Sequence, residues 1–432
     1  MNAATATETV RRPDASATIP SPNEVPLDQI DVADAELINS GRVFDYYDRL
    51  RREDPVHYCA TNKLYGPYWS VTRFKDIVEV ETKPHIFSAE ARGISIEDDT
   101  LGLGTPMFIA MDPPKHDEQR MAVSPALSPE NMIKLEAGIR QRTSQVLDGL
   151  PLNQTFDWVD LVSIELTTQM LAILFGFPFE HRRLLTHWSN VGSANPETGS
   201  RVVESQEARM RELQVCLGYM SALWHMRAQD PEVRSDLISI MAHAPGTRDL
   251  PSRPLEFLGN MLLLIIGGND TTRNTMSGSV LALNRNPEEY RKLCARPELV
   301  ASLVSEAIRW QTPLTHMRRT ALCDTTLGGK QIRKGDKVVM WYLSGNRDPE
   351  FIERPNEFIV DRKNPRQHLS FGFGIHRCVG NRLAEMQLRV LWEEILKRWN
   401  KPMQIEVVGD AVPVDHSLIF RGYSHLPVRI NA

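Results

Sequence analysis

Residues 255–286, LEFLGNMLLLIIGGNDTTRNTMSGSVLALNRN, repeat apolar side chains at helical spacing until Asn286 and Pro287 stop the pattern. A helix of that length with an apolar centre must cross the middle of a molecule. Its unbroken apolar run, MLLLII at 261–266, is far short of the ~20 residues that span a bilayer, so no membrane span is expected. Gly267 and Gly268 stand within it, and each glycine costs a helix interior roughly 1 kcal/mol relative to alanine. Room for a ligand against the backbone would compensate. The alternative is a kinked helix in which Thr271 bonds its own backbone.

Other stretches are helical too. MIKLEAGIRQRTSQVLDGL (132–150) recurs apolar at Ile133, Leu135, Ile139 and Val146, ELVASLVSEAIRWQ (298–311) is a further helix, and LAEMQLRVLWEEILKRW (383–399) aligns Ala384, Leu388, Leu391 and Ile395. Strand signals are short: GPYWSVT (66–72), CDTTLGGKQIRKGDKVVMWY (323–342) and HLPVRI (425–430). The expected fold is mainly α with small β-sheets. A chain of 432 residues has room for up to three domains of ~150 residues, but nothing resembling a linker divides it after the start. A single unit over 27–432 is expected, preceded by a disordered tail at 1–26 that is rich in Ala, Thr, Ser and Pro.

Fifty basic residues against 55 acidic ones give a net charge of −5, which argues against bulk nucleic-acid affinity. Arg11 and Arg12 have no apolar segment behind them to make an export signal. Five cysteines, an odd number without paired spacing, suit a reduced, cytoplasmic protein.

One of those cysteines sits in FGFGIHRCVG, 371–380. Gly372 and Gly374 would let the backbone take left-handed conformations beside a flat ligand, where a Cβ would clash. Cys378 falls just before the helix at 383–399, whose N-terminal dipole is expected to lower the thiol pKa. A lone thiolate without companion protein ligands makes sense for iron in a porphyrin, which supplies the other four donors. A buried free cysteine is the alternative.

The pattern Phe371-Gly372-x-Gly374-x-His376-x-Cys378-x-Gly380 resembles the haem-binding loop of the cytochrome P450 family. The resemblance implies that fold, with the long helix over haem b (iron protoporphyrin IX), and Cys378 as the axial ligand of the iron. Phe371 would then shield the sulfur, His376 would reach a haem propionate, and Arg377 would face the surface where an electron donor docks. In GGNDTT, Gly267 and Gly268 would form a groove over the iron, with Thr271 bonding the oxygen substrate and Asp270 relaying protons. Glu306, Arg309 and Arg362 resemble the family's buried ion-pair triad. In MDPPKHDEQR (111–120) Pro113 and Pro114 open a helix, and His116 and Arg120 match the family's propionate partners. Arg319 in THMRRTAL joins them, with Arg318 as the competing assignment.

These motifs run in family order from Met111 to Gly380, and the helix and strand pattern agrees over ~40–432. The implied activity is monooxygenation: R–H, O2, two electrons and two protons give R–OH and water. Electrons would come from a ferredoxin and its NAD(P)H-dependent reductase, since no GxGxxG βαβ unit is present. Leu263, Ile266, Leu314, Ile419 and Phe420 would line an apolar pocket for a small apolar substrate, each having core packing as its alternative. The loop at 93–108 would form a mobile lid. Finer similarity, in LIIGGNDTTRNTMSGS and RWQTPLTHMRRTAL, is to bacterial alkane and fatty-acid terminal (ω) hydroxylases. Side-chain hydroxylation of sterols or branched lipids is the rival within the family; a peroxygenase and a noncatalytic haem sensor are the rivals outside it.

Overall fold

The computed structural model describes residues 19–98, 106–196, 200, 202–414 and 417–431. Its axis is the helix Pro254–Arg285, which starts at a proline, carries Glu256 in its first turn, and ends where Asn286 caps it before the helix Pro287–Ala295. Most of its residues are buried. The helices Glu165–Phe175, Arg183–Ser193, Gln206–Gln229, Val300–Gln311 and Asn381–Arg398 all pack on it. The centre of the molecule is therefore helix against helix.

The helix expected at 132–150 spans Pro129–Asp148, with the Ser128 hydroxyl accepting from the Asn131 N–H at its N-terminus. Its inner face is Met132, Ile139, Thr143 and Leu147, whereas Ile133 is 76% exposed. The apolar repeat had placed Ile133 on the inner stripe. Met132, one residue earlier, takes that place because the neighbouring helices fix the rotation of this one.

The expected strands are present as shorter pieces. A five-stranded sheet runs in the order Val56–Cys59, Tyr68–Val71, Lys337–Trp341, His316–Ala321, Phe87–Ser88, antiparallel except between Tyr68–Val71 and Lys337–Trp341. It sets Arg319 opposite Val338. Pro427–Ile430 pairs with both Thr155–Asp157 and Ile405–Val407, so the end of the chain closes a sheet begun far upstream.

The boundary of the expected tail moves. Residues 1–18 lie outside the described residues, but 19–26 pack on the body: Tyr46 donates to the Pro20 carbonyl at 2.9 Å and Arg49 to the Val25 carbonyl at 2.6 Å. Half-buried Ile19 and Val25 join the adjoining apolar cluster, which offsets their ordering cost. Among the described residues, no helix is long and apolar enough to cross a membrane.

Candidate functional site

The loop 371–380 is closed by the Cys378 N–H, which donates to the Phe371 carbonyl at 2.8 Å, and the helix Asn381–Arg398 follows at once. Gly372 and Gly374 have φ of 66° and 63°, the left-handed region that favours glycine. What crowds Gly374 is protein rather than a flat ligand, since a Cβ there would run into the Glu81 carbonyl. The Glu81 carboxylate in turn accepts from the Phe373 N–H at 3.1 Å and from the Tyr342 hydroxyl, and lies 3.7 Å from Arg319. Glu81 thus joins the cysteine loop to the five-stranded sheet, and no local sequence signal announced it.

Cys378 keeps accessible surface, yet protein closes round its thiol. Burial pushes the thiol up, outweighing the Gly380 N–H and the charges of Arg120 and Arg377, which favour thiolate. The expected lowering by the helix dipole is therefore overruled by desolvation.

His116 and His376 meet edge to face with ring centroids 4.4 Å apart. Nδ1 of His116 pairs with Asp117 at 2.7 Å, but its Nε2 and both ring nitrogens of His376 are buried without a hydrogen-bond partner among the described residues. Burial, then Arg319, His116 and Arg120, lowers His376 to about 2. Arg120 donates to the Arg377 carbonyl at 2.6 Å. Arg120 and Arg319 make this corner cationic, and their guanidinium groups together with one imidazole N–H of His376 would donate to acidic oxygens of a bound group. The two propionates of a haem fit that requirement. Arg318 is committed elsewhere, to Asp98 at 2.7 Å and to the Ser95 and Glu97 carbonyls, so Arg319 is the arginine on the side of His376. The helix Lys115–Val123 that carries His116 is pinned to the central helix by Gln119, which donates to Glu256 at 2.6 Å and accepts from Asn260 at 3.0 Å.

On the central helix the two glycines part company. Nothing lies within 4 Å of a Cβ placed on Gly267, whereas one on Gly268 would sit 2.7 Å from Leu171 Cδ2. Gly267 therefore faces open space, and Gly268 admits the neighbouring helix rather than sharing a groove. The Thr271 hydroxyl donates to the Gly267 carbonyl at 2.9 Å, one turn back on the open side. Asp270 points the other way, accepting from Ser189 and Ser193 at 3.1 Å each and from Asn269 at 3.1 Å, with Arg273 at 2.9 Å. The serines come from the helix Arg183–Ser193, and sequence reasoning missed them because hydroxyls on a distant helix leave no local pattern. Val379, beside Cys378, packs in the same apolar cluster as Leu263, Ile265 and Ile266.

Glu306 is fully buried and holds both arginines: Arg309 at 2.7 and 2.8 Å, Arg362 at 2.8 and 3.1 Å. Burial would raise this carboxyl, but Arg309 and then Arg362 outweigh it and hold the group below the ordinary glutamate range. Arg309 also donates to the carbonyls of Asn346, Pro355 and Glu357. Asn346 accepts from the Leu369 N–H at 2.6 Å and donates to Ser370 at 2.9 Å, so the triad bears on the entry to the cysteine loop.

Leu314 and Phe420 form an isolated β-bridge, and the Thr315 N–H donates to the Ile419 carbonyl at 2.9 Å, which brings three of the expected pocket residues together. Leu263 and Ile266 lie apart from them on the central helix, half-buried. Of the expected lid, 99–105 lie outside the described residues. The flank before them is anchored, with the Arg318 N–H donating to the Ile94 carbonyl at 2.8 Å and Lys337 to the Ile96 carbonyl at 2.9 Å.

A profile of the cytochrome P450 family matches residues 225–408. Linalool 8-monooxygenase of Pseudomonas putida is 37% identical over 388 residues, 86% of this chain and 92% of the relative. The methyl-branched lipid omega-hydroxylase of Mycobacterium tuberculosis is 32% identical, over 87% of this chain and 90% of its own. Among solved structures, cytochrome P450-153 from Novosphingobium aromaticivorans is 44% identical with a TM-score of 0.84, covering 92% of this chain and 98% of that one.

Proposed function

The chain belongs to the cytochrome P450 family of haem-thiolate monooxygenases, and we propose that it hydroxylates the terminal carbon of medium-chain linear alkanes, fatty acids or related aliphatics. The observation that carries the site assignment is the cationic corner of His116, His376, Arg120 and Arg319, with Arg120 acting also on the Cys378 thiol. For the substrate, the support is the apolar character of Leu314, Ile419 and Phe420, which meet at one bridge, and of Leu263 and Ile266 on the central helix, with no charged group among the five.

Haem b, when bound, supplies dioxygen activation and transfer of an oxygen atom to carbon. Cys378 would hold its iron through sulfur, with the Gly380 N–H, Arg120 and Arg377 favouring the thiolate form. Phe371 would cover the sulfur, while His116, Arg120, Arg319 and His376 would hold the propionates. Thr271 stands next to the open face at Gly267 and would pass its hydroxyl proton toward the oxygen substrate. Asp270, held on the far side by Ser189, Ser193 and Arg273, would turn from them to replace that proton. Electrons would arrive from a ferredoxin, served by an NAD(P)H-dependent reductase, that docks near exposed Arg377. Five free cysteines suit work in the reducing cytoplasm.

Thr271→Ala should keep the haem-thiolate spectrum while releasing several-fold more peroxide per electron consumed, measured with a surrogate ferredoxin and reductase. Unchanged coupling would remove Thr271 from the proton path. The same reconstituted system tests the substrate: octane and dodecanoic acid should yield mainly the ω-alcohol. Products confined to internal carbons would refute terminal attack. A branched lipid chain is the second candidate, favoured by the name of the mycobacterial relative.

A further inference from the structure

We infer that Gly192 sets the width of the substrate chamber by giving Ile266 a place to retract, which rests on the proposal that Ile266 lines that chamber. Gly192 lies in the last turn of the helix Arg183–Ser193, and that turn is held from two sides, by the central helix and by the helix Gln206–Gln229. Ser189 and Ser193 donate to Asp270, Asn190 accepts from Arg273 at 3.2 Å, and Arg209 donates to the Val191 and Gly192 carbonyls at 3.1 and 2.8 Å. The helix cannot back away from the central one without breaking these bonds.

A Cβ on Gly192 would stand 2.9 Å from Ile266 Cδ1 and 3.4 Å from Leu262 Cδ2. The first is closer than carbon atoms pack at rest, and the second stands at the edge of ordinary contact. Leu262 is 4% exposed and walled in by the helical core. Ile266 is half-buried and immediately precedes Gly267, whose side is open, so the terminal methyl of Ile266 is what gives. A rotamer change carries it to the open face of the helix. The glycine thus keeps one branched side chain out of the chamber, and alanine there would narrow it by about a methyl group. Alanine also suits an ordinary helical backbone better than glycine does, so the variant keeps its fold.

A difference of one methyl group in an apolar pocket is worth about 10- to 200-fold in discrimination. The test uses iron-binding azoles on the haem-loaded full chain, read as dissociation constants from the Soret shift: imidazole, which needs little room, and 4-phenylimidazole, which needs the chamber. Gly192→Ala should weaken 4-phenylimidazole by about tenfold or more and leave imidazole unchanged, and adding Ile266→Val to Gly192→Ala should restore it. Ile266→Val alone should leave both constants unchanged, because in the wild type the terminal methyl that it removes already lies against Gly192 and outside the chamber. An unchanged 4-phenylimidazole constant in Gly192→Ala, or a weakening that Ile266→Val does not relieve, overturns the inference. The azoles do not depend on which chain is the natural substrate. A wild-type protein that ignores linear chains while the azole pattern holds would refute the linear-chain assignment alone.

Discussion

Cys378→Ala is expected to abolish the haem-thiolate spectrum and all monooxygenase turnover while leaving the protein folded. The bonds that shape the loop do not use the sulfur: the Cys378 N–H reaches the Phe371 carbonyl, and the Phe373 N–H reaches Glu81. Alanine therefore keeps the backbone and removes only the donor atom. The remaining four cysteines lie at positions 59, 216, 294 and 323, and burial raises Cys59 and Cys216 to about 12 and Cys294 to about 11, so none of these three offers a ready thiolate. The reduced carbon monoxide complex reports thiolate ligation directly, and a thermal melt checks the fold. A persistent thiolate-type band in the variant would remove Cys378 from the iron.

The second large effect belongs to Glu306. Its removal leaves Arg309, fully buried, and Arg362, whose side chain is 7% exposed, without their shared carboxylate. Stranding buried charge in this way costs ~3–5 kcal/mol, against ~0–1 kcal/mol for a surface pair such as Lys134 with Glu130. Urea unfolding of haem-loaded Glu306→Ala should show the larger loss, and Lys134→Ala almost none. The sign with pH follows from the lowered carboxyl. Its stabilisation is complete above the unfolded glutamate pKa of ~4.3 and is lost as pH falls through the lower folded value. Wild type should therefore lose more stability than Glu306→Ala on acidification below that range. Equal losses would mean that the triad contributes little net stability.

Local features of the molecule were legible before its structure. The central helix followed from spacing and its proline and asparagine stops, and Glu306 with Arg309 from an i,i+3 pair on one helix. The tight cysteine loop followed from its glycines, whose left-handed φ angles the backbone adopts. What escaped depends on partners far along the chain. Glu81 reaches Phe373 across almost three hundred residues, and Ser189 and Ser193 meet Asp270 only because two helices cross. Gly267 and Gly268 look alike in sequence, yet Leu171 gives one a packing role that the other lacks. Ile133 fits the helical repeat but faces outward, since rotation about a helix axis is set by its neighbours. The Cys378 thiol was misjudged for a related reason: a helix dipole is visible in sequence and desolvation is not.

The most direct measurement is titration of the purified haem-loaded protein with octane, decane and dodecanoic acid, read in the Soret band. A linear chain that fills the chamber displaces water from the iron, and a saturable low-spin to high-spin shift is the predicted result. A Soret band that shifts with a sterol or branched lipid but never with a linear chain would contradict the proposed substrate.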